Sequence, residues 1–175
     1  EVWDLVINHF NIQPNIVEYT CMIKVLVASH NLERAVEMLR SMRRNGIEPN
    51  VVTYTVLLNA CTKSTNLKLG KEVHDQLTKS GLVPDSFLKN TLLDMYGTLG
   101  DLPQGLRIFE AISDRERTVV TWNTLIKSYV VADNLSTAVD LLNRMRGTGA
   151  KPNEVTYTIM LTHCASSNEL KVGQL

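Results

Sequence analysis

Five places in this chain set a short hydrogen-bonding side chain three residues after an apolar one: Val17 with Thr20, Val52 with Thr55, Phe87 with Asn90, Val120 with Asn123, and Val155 with Thr158. Residues three apart on a helix share a face, so each pair offers an apolar contact beside a donor or acceptor. That combination can press on a flat ring and hydrogen-bond to its edge; clamping a single-stranded base in this way is worth about 1 to 3 kcal/mol. A single Thr or Asn near a helix start is ordinarily a cap or turn former, but five at one recurring position form a row. The other reactive side chains form no comparable pattern. His9, His30, His74 and His163 lack metal or triad spacing, and Cys21, Cys61 and Cys164 are too few and too far apart for a metal cage or disulfide framework. Cys61 and Cys164 share a repeat position on an apolar helix side and read as small core residues. His163 and Cys164 are neighbours, which point about 100° apart on a helix and cannot oppose each other as base and nucleophile. With no phosphate loop, reasoned carboxylate pair or Ser-His-Asp arrangement, the sequence reads as non-enzymatic, with no catalytic residue, metal or cofactor expected.

The row has to be positioned by a repeated element. Pro14, Pro49 and Pro84 stand 35 residues apart, Pro152 follows 68 later, and each precedes Asn15, Asn50, Asp85 or Asn153. Leu32, Leu67, Leu102, Leu135 and Leu170 keep the same rhythm. Within Val119 to Asn153, apolar residues at Val120, Leu125, Ile126 and Tyr129 hold helical spacing, Asp133 and Asn134 break it, and Leu135, Val139, Leu142 and Met145 resume it. Gly149 and Pro152 then end the second helix, because glycine tolerates a left-handed turn and proline cannot continue the ladder. The predicted organisation is a second helix of a truncated repeat over 1–15, repeats at 16–50, 51–85, 86–118 and 119–153, and a truncated fifth at 154–175.

First helices open with an aromatic at Tyr19, Tyr54, Trp122 and Tyr157, Lys89 being the exception, and Trp122 and Trp3 are expected to fill gaps between helices. Second helices carry small residues at Ala35, Gly70, Gly105, Ala138 and Gly173, where close helix approach is expected. The third repeat departs: it is two residues short and closes with ISDRERT, and Pro103 falls in a helical first turn, where its missing N–H costs nothing.

Formal net charge is zero, from 18 basic and 18 acidic residues, so attraction to phosphate would have to come from local distribution. Lys24, Lys63 and Lys127, on first helices, are the phosphate candidates; Arg40, Arg43 and Arg44, on a second helix, read as a solvated outer face. No run of about 18 apolar residues suggests a membrane span. The chain begins without methionine, partway through a helix pattern, and reads as a piece of a longer protein.

A 35-residue helical pair closing in Gly-x-x-Pro-Asp/Asn, with VVTYT or VVTWN opening the first helix, resembles the pentatricopeptide repeat family. The 34-residue tetratricopeptide signature is absent. LKLGKEVHDQLTKSGLVPD resembles the long variant of the mixed class and NTLLDMYGTLGDLPQGLRIFEAI the short one, which implies a P-L-S-P-L order. The resemblance implies an all-α, right-handed α-solenoid that binds single-stranded RNA, one base per repeat, in a mitochondrion or plastid, often as a site-recognition factor for C-to-U editing. It implies no DNA or membrane partner, while other editing or processing factors are expected company. By the family's pairing, Val17, Val52, Phe87, Val120 and Val155 clamp bases, and bases are read by Thr20 with Asn50 (adenine), Thr55 with Asp85 (guanine), Asn90 with Thr118 (a pyrimidine) and Asn123 with Asn153 (a pyrimidine, cytosine favoured), with Thr158 starting the next site. The implied core is 5'-A-G-Y-Y. The alternative reading is a protein-binding helical scaffold in an organellar ribosome or RNA-processing complex.

Overall fold

Helix formation follows the apolar spacing and is bounded by caps. The computed structural model describes residues 14–166, with side chains through Thr162, and these are all-α. The half-repeat expected before Pro14, together with Trp3, His9, Leu170, Gly173 and the side chains of His163 and Cys164, lies outside the described residues. Nine helices are described: α1 (Ile16–Ala28), α2 (Leu32–Arg44), α3 (Val51–Lys63), α4 (Leu67–Ser80), α5 (Ser86–Thr98), α6 (Leu102–Glu110), α7 (Val119–Val131), α8 (Leu135–Gly147) and α9 (Glu154–Ser166).

Each first helix starts on a side-chain cap, which satisfies backbone N–H groups that have no partner inside the helix. Asn15 caps α1 and closes a capping box with Glu18; Asn50 accepts from Thr53 N; Asp85 accepts from Leu88 N; Thr118 and Thr121 form a capping box at α7. The turn into each second helix puts one residue in the left-handed region: His30, Thr65, Gly100 and Asp133, with φ of 57°, 51°, 84° and 58°. The next residue's N–H then reaches back five positions in the sense of a Schellman turn, from Asn31 to Leu26 O, Asn66 to Cys61 O, Asp101 to Tyr96 O and Asn134 to Tyr129 O, each at 2.9 Å.

The chain forms two compact units, 1–83 and 84–175. In the first, Tyr19, Ile23, Val36, Leu39, Met42, Tyr54, Leu57, Leu58, Cys61, Val73 and Leu77 pack as the core of α1 to α4. Each such large side chain removed from water contributes about 1.5 to 3 kcal/mol. Cys61 is fully buried there, and burial pushes its thiol up to about 12, so it acts as a small hydrophobe. In the second unit the core joins Leu93, Phe109, Trp122, Leu125, Ile126, Ala138, Leu142 and Met145.

At Gly105 the approach of the two helices is looser than expected. Ala35, Gly70, Gly105 and Ala138 are buried, but a Cβ added at Gly105 would meet Leu93 Cδ1 at 3.7 Å, an ordinary contact. The tight approach is at Gly97 in α5, where an added Cβ would lie 2.6 Å from Ser128 Cβ in α7. Within the second unit the first helices α5 and α7 therefore approach more closely at Gly97 than α5 and α6 do at Gly105.

Candidate nucleic-acid interface

Capping fixes where the closing residues stand. Asn50, Asp85, Thr118 and Asn153 are each exposed and each stands at the start of the following first helix, so they end one pair and cap the next. The five apolar residues Val17, Val52, Phe87, Val120 and Val155 are all exposed, between 49% and 64%, at the second position of their helices. A large apolar side chain held out of the core at every first helix is consistent with a contact surface and is not needed for packing. The polar row is more enclosed: Thr20 and Asn123 are each 8% exposed, Thr55 and Asn90 are half-buried, and Thr158 is exposed.

In the first unit these residues converge. A shallow depression of about 150 Å³ is lined by Ile16, Val17, Thr20, Cys21, Lys24, Asn50 and Val52, so one site holds three aliphatic side chains, one thiol, one hydroxyl, one carboxamide and one ammonium. Thr20 Oγ1 donates to Ile16 O at 2.7 Å and lies 2.9 Å from Thr53 Oγ1, which is itself 3.1 Å from Asn50 Oδ1. Across the α7–α9 site the same connection runs through Thr156. Its hydroxyl donates to Asn123 Oδ1 at 2.7 Å, Asn123 Nδ2 donates to Asn153 Oδ1 at 3.3 Å, and Asn153 Oδ1 also accepts from Thr156 N at 3.1 Å.

The α5–α7 site is wired differently. Thr121 Oγ1 lies 3.3 Å from Thr118 Oγ1 and accepts from Thr118 N, while the buried Asn90 Oδ1 has no partner. Thr55 Oγ1 is likewise buried without a partner. An unmet buried polar atom costs about 1 to 3 kcal/mol.

Charge is local. Lys24 and Lys63 are exposed on first helices, whereas Lys127 is held 3.3 Å from Asp94 Oδ1. Arg40 and Arg44 bind Glu37, and Arg40 also binds Glu72; the Arg40 guanidinium holds the Glu37 carboxyl below its usual range. Arg43 departs from the expected solvated face: it is partly buried and donates to Gln76 Oε1 at 2.6 Å and Gln76 O at 3.3 Å, tying α2 to α4. Among the described residues no group of His, Cys, Asp and Glu is placed to hold a metal, and no helix is long and apolar enough to cross a membrane.

Thr53, Thr121 and Thr156, all almost fully buried, are the residues that sequence reasoning passed over. Their signal was present in the VVTYT and VVTWN openings, where a threonine stands two places before the polar row. It was hidden because a threonine in a first helical turn already has a sufficient reason in capping.

Paired antiparallel helices with a repeating cap, an exposed apolar row and a semi-buried polar row define the helical-hairpin repeat class, a solenoid fold. The match is specific: the PPR repeat family matches residues 14–63 and 117–166, and a further PPR repeat matches 52–82. The chain belongs to the PPR repeat family. A chloroplastic pentatricopeptide repeat-containing protein of Arabidopsis thaliana is 35% identical over 99 residues, covering 50% of this chain and 11% of the relative. A mitochondrial one from the same plant is 39% identical over 87 residues, again 50% of this chain and 11% of the relative. The crystal structure of PPR10 from maize superposes with a TM-score of 0.80 at 20% identity, over 96% of this chain and 24% of PPR10. PPR10 in complex with an 18-nt psaJ RNA element gives 0.70 at 25% identity, over 91% of this chain and 24% of that one. The chain thus spans about a tenth of those relatives and about a quarter of PPR10.

Proposed function

We propose that this chain is a sequence-selective single-stranded RNA-binding segment of an organellar pentatricopeptide repeat protein, reading one base per repeat. The repeats are 16–50, 51–85, 86–118 and 119–153, flanked by partial repeats at 1–15 and 154–175. The observation that carries this reading is the depression where Val17 and Val52 flank Thr20 and Asn50: two apolar walls spaced by hydrogen-bonding groups, which is what a base needs. The RNA bound by PPR10 and the chloroplastic and mitochondrial relatives support the ligand class and the compartment. The order of long and short repeats supports the finer reading, recognition of a C-to-U editing site by the mixed P-L-S class, with any catalysis supplied from other sequence or a partner.

The predicted core is 5'-A-G-Y-Y. A labelled oligonucleotide containing AGCC is expected to bind in preference to one containing AGAA, and Thr55→Asn is expected to move the second base from guanine towards a pyrimidine. Equal binding of the two oligonucleotides would remove base readout. The wild-type affinity should also fall with a slope of about −0.7 per phosphate neutralised in log salt; indifference to salt would instead favour an apolar protein interface on the same face.

A further inference from the structure

The polar ring at the α7–α9 site fixes more than a cap. Thr156 is fully buried, and its hydroxyl has one proton. Asn153 N donates to Thr156 Oγ1 at 3.0 Å, and the hydroxyl proton has two acceptors in reach, Asn123 Oδ1 at 2.7 Å and Asn153 Oδ1 at 3.0 Å, of which the shorter contact takes it. This pins the Asn123 carboxamide with its oxygen turned to Thr156 and its amide nitrogen to Asn153 Oδ1, which is also engaged by Thr156 N. Both carboxamide oxygens are thereby occupied inside the protein. Uncommitted are one N–H of Asn123 and the amide N–H pair of Asn153, three donors against a single remaining lone pair on Asn123 Oδ1.

We propose that Thr156 is a positioning residue for base selection: without touching RNA, it locks Asn123 so that the fourth repeat presents donors and selects cytosine over uracil. Cytosine carries two adjacent acceptors, N3 and O2, on its Watson–Crick edge, whereas uracil places an N3–H donor beside O2. Two donors facing uracil would leave one N–H against another, and a buried unmatched pair is costly. The contrast at α5–α7 supports the role, since there Thr121 is spent on Thr118 and Asn90 Oδ1 is left without a partner.

This inference rests on the RNA reading proposed above, and the test separates the two. The chain is titrated with 5'-AGCC and 5'-AGCU oligonucleotides, and the ratio of affinities is compared for wild type, Thr156→Val and Thr156→Ser. Valine keeps the shape and removes the hydroxyl; serine keeps the hydroxyl. The expected result is a wild-type preference for the final cytosine that drops about tenfold in Thr156→Val, as loss of one orienting hydrogen bond implies, and returns in Thr156→Ser. A merely structural role would lower both affinities and leave their ratio alone. A cytosine preference that persists in Thr156→Val overturns the positioning role and leaves base reading standing. A wild type indifferent to C and U overturns both.

Discussion

The pair α5–α6 and the pair α7–α8 lie in the same unit, pack on each other and are closed in opposite ways. The latter ends in the ordinary manner, on Gly149 at φ 81° before Pro152. The former has no such glycine; its short second helix stops at Glu110, and Arg117 folds back as a clasp. Its guanidinium lies 4.5 Å from the Phe109 ring centroid, donates to Phe109 O at 3.3 Å, and pairs with Glu110 at 3.1 Å and with Asp114. Arg144 of α8 reaches the same ring at 5.6 Å and pairs with Glu110 at 2.6 Å, and Arg144 is the first cause of that carboxyl's lowered pKa. Lys89, where other first helices carry an aromatic, is held 3.2 Å from Glu116 of the same connection. The missing aromatic and the missing glycine are therefore compensated together. A hairpin repeat requires that its ends be joined; it does not dictate whether backbone geometry or charge joins them.

The comparison breaks most severely at the seam between the two pairs. Gly97→Ala would drive a methyl into Ser128, whose Cβ is anchored to the α7 backbone and cannot rotate away. Overpacking of this kind costs about 1 to 3 kcal/mol, more than the roughly 1 kcal/mol that alanine gains over glycine in a helix. Thermal unfolding should show a clear loss for Gly97→Ala, largely recovered when Ser128→Gly is added. An undiminished melting temperature in the single variant would mean the two first helices are not in close contact there.

The clasp is the next test. Arg117→Ala uncovers one face of Phe109 and leaves Glu110 with one fewer partner, an expected loss of about 1 to 2 kcal/mol by denaturant titration. Because the side chain is nearly buried, Arg117→Met separates packing from charge: buried ion pairs are often matched by apolar substitutes, so methionine should restore a good part of the loss. If alanine costs nothing measurable, the irregular connection is not held by this residue, and the equivalence of the two closures fails.

Much of this architecture was legible beforehand because it depends on periodic signals. Apolar spacing, the prolines and the glycine at the second-helix end mark helices whose observed bounds begin on the residue after each cap, and the exposed position of Val17 through Val155 follows from their offset to the core stripe. What was hidden depends on partners far apart in the sequence. Gly97 sits inside a helix pattern with no neighbour in sequence to show that Ser128 faces it. Arg117 reads only as one of several charges in ISDRERT until Phe109 is placed beneath it. Arg43 looks like surface until the end of α4 comes against it. Thr156 was masked by a local explanation that is true but incomplete.

The smallest expected effect distinguishes the two pairs at their inner turns. Both need a left-handed residue between helices, and α5–α6 supplies Gly100 where α7–α8 supplies Asp133. A Cβ in this region carries a steric cost that aspartate bears better than most residues, and glycine avoids it at some cost in unfolded-state entropy. The net change for Gly100→Ala should therefore be a loss of about 1 kcal/mol, read from the denaturation midpoint at constant slope. The space around Gly100 is open, with nothing within 4 Å of an added Cβ, so any loss there is backbone strain and not a clash. If Gly100→Ala were neutral, the left-handed turn would not be a shared requirement of the two hairpins, and the sequence difference between glycine and aspartate would carry no structural meaning.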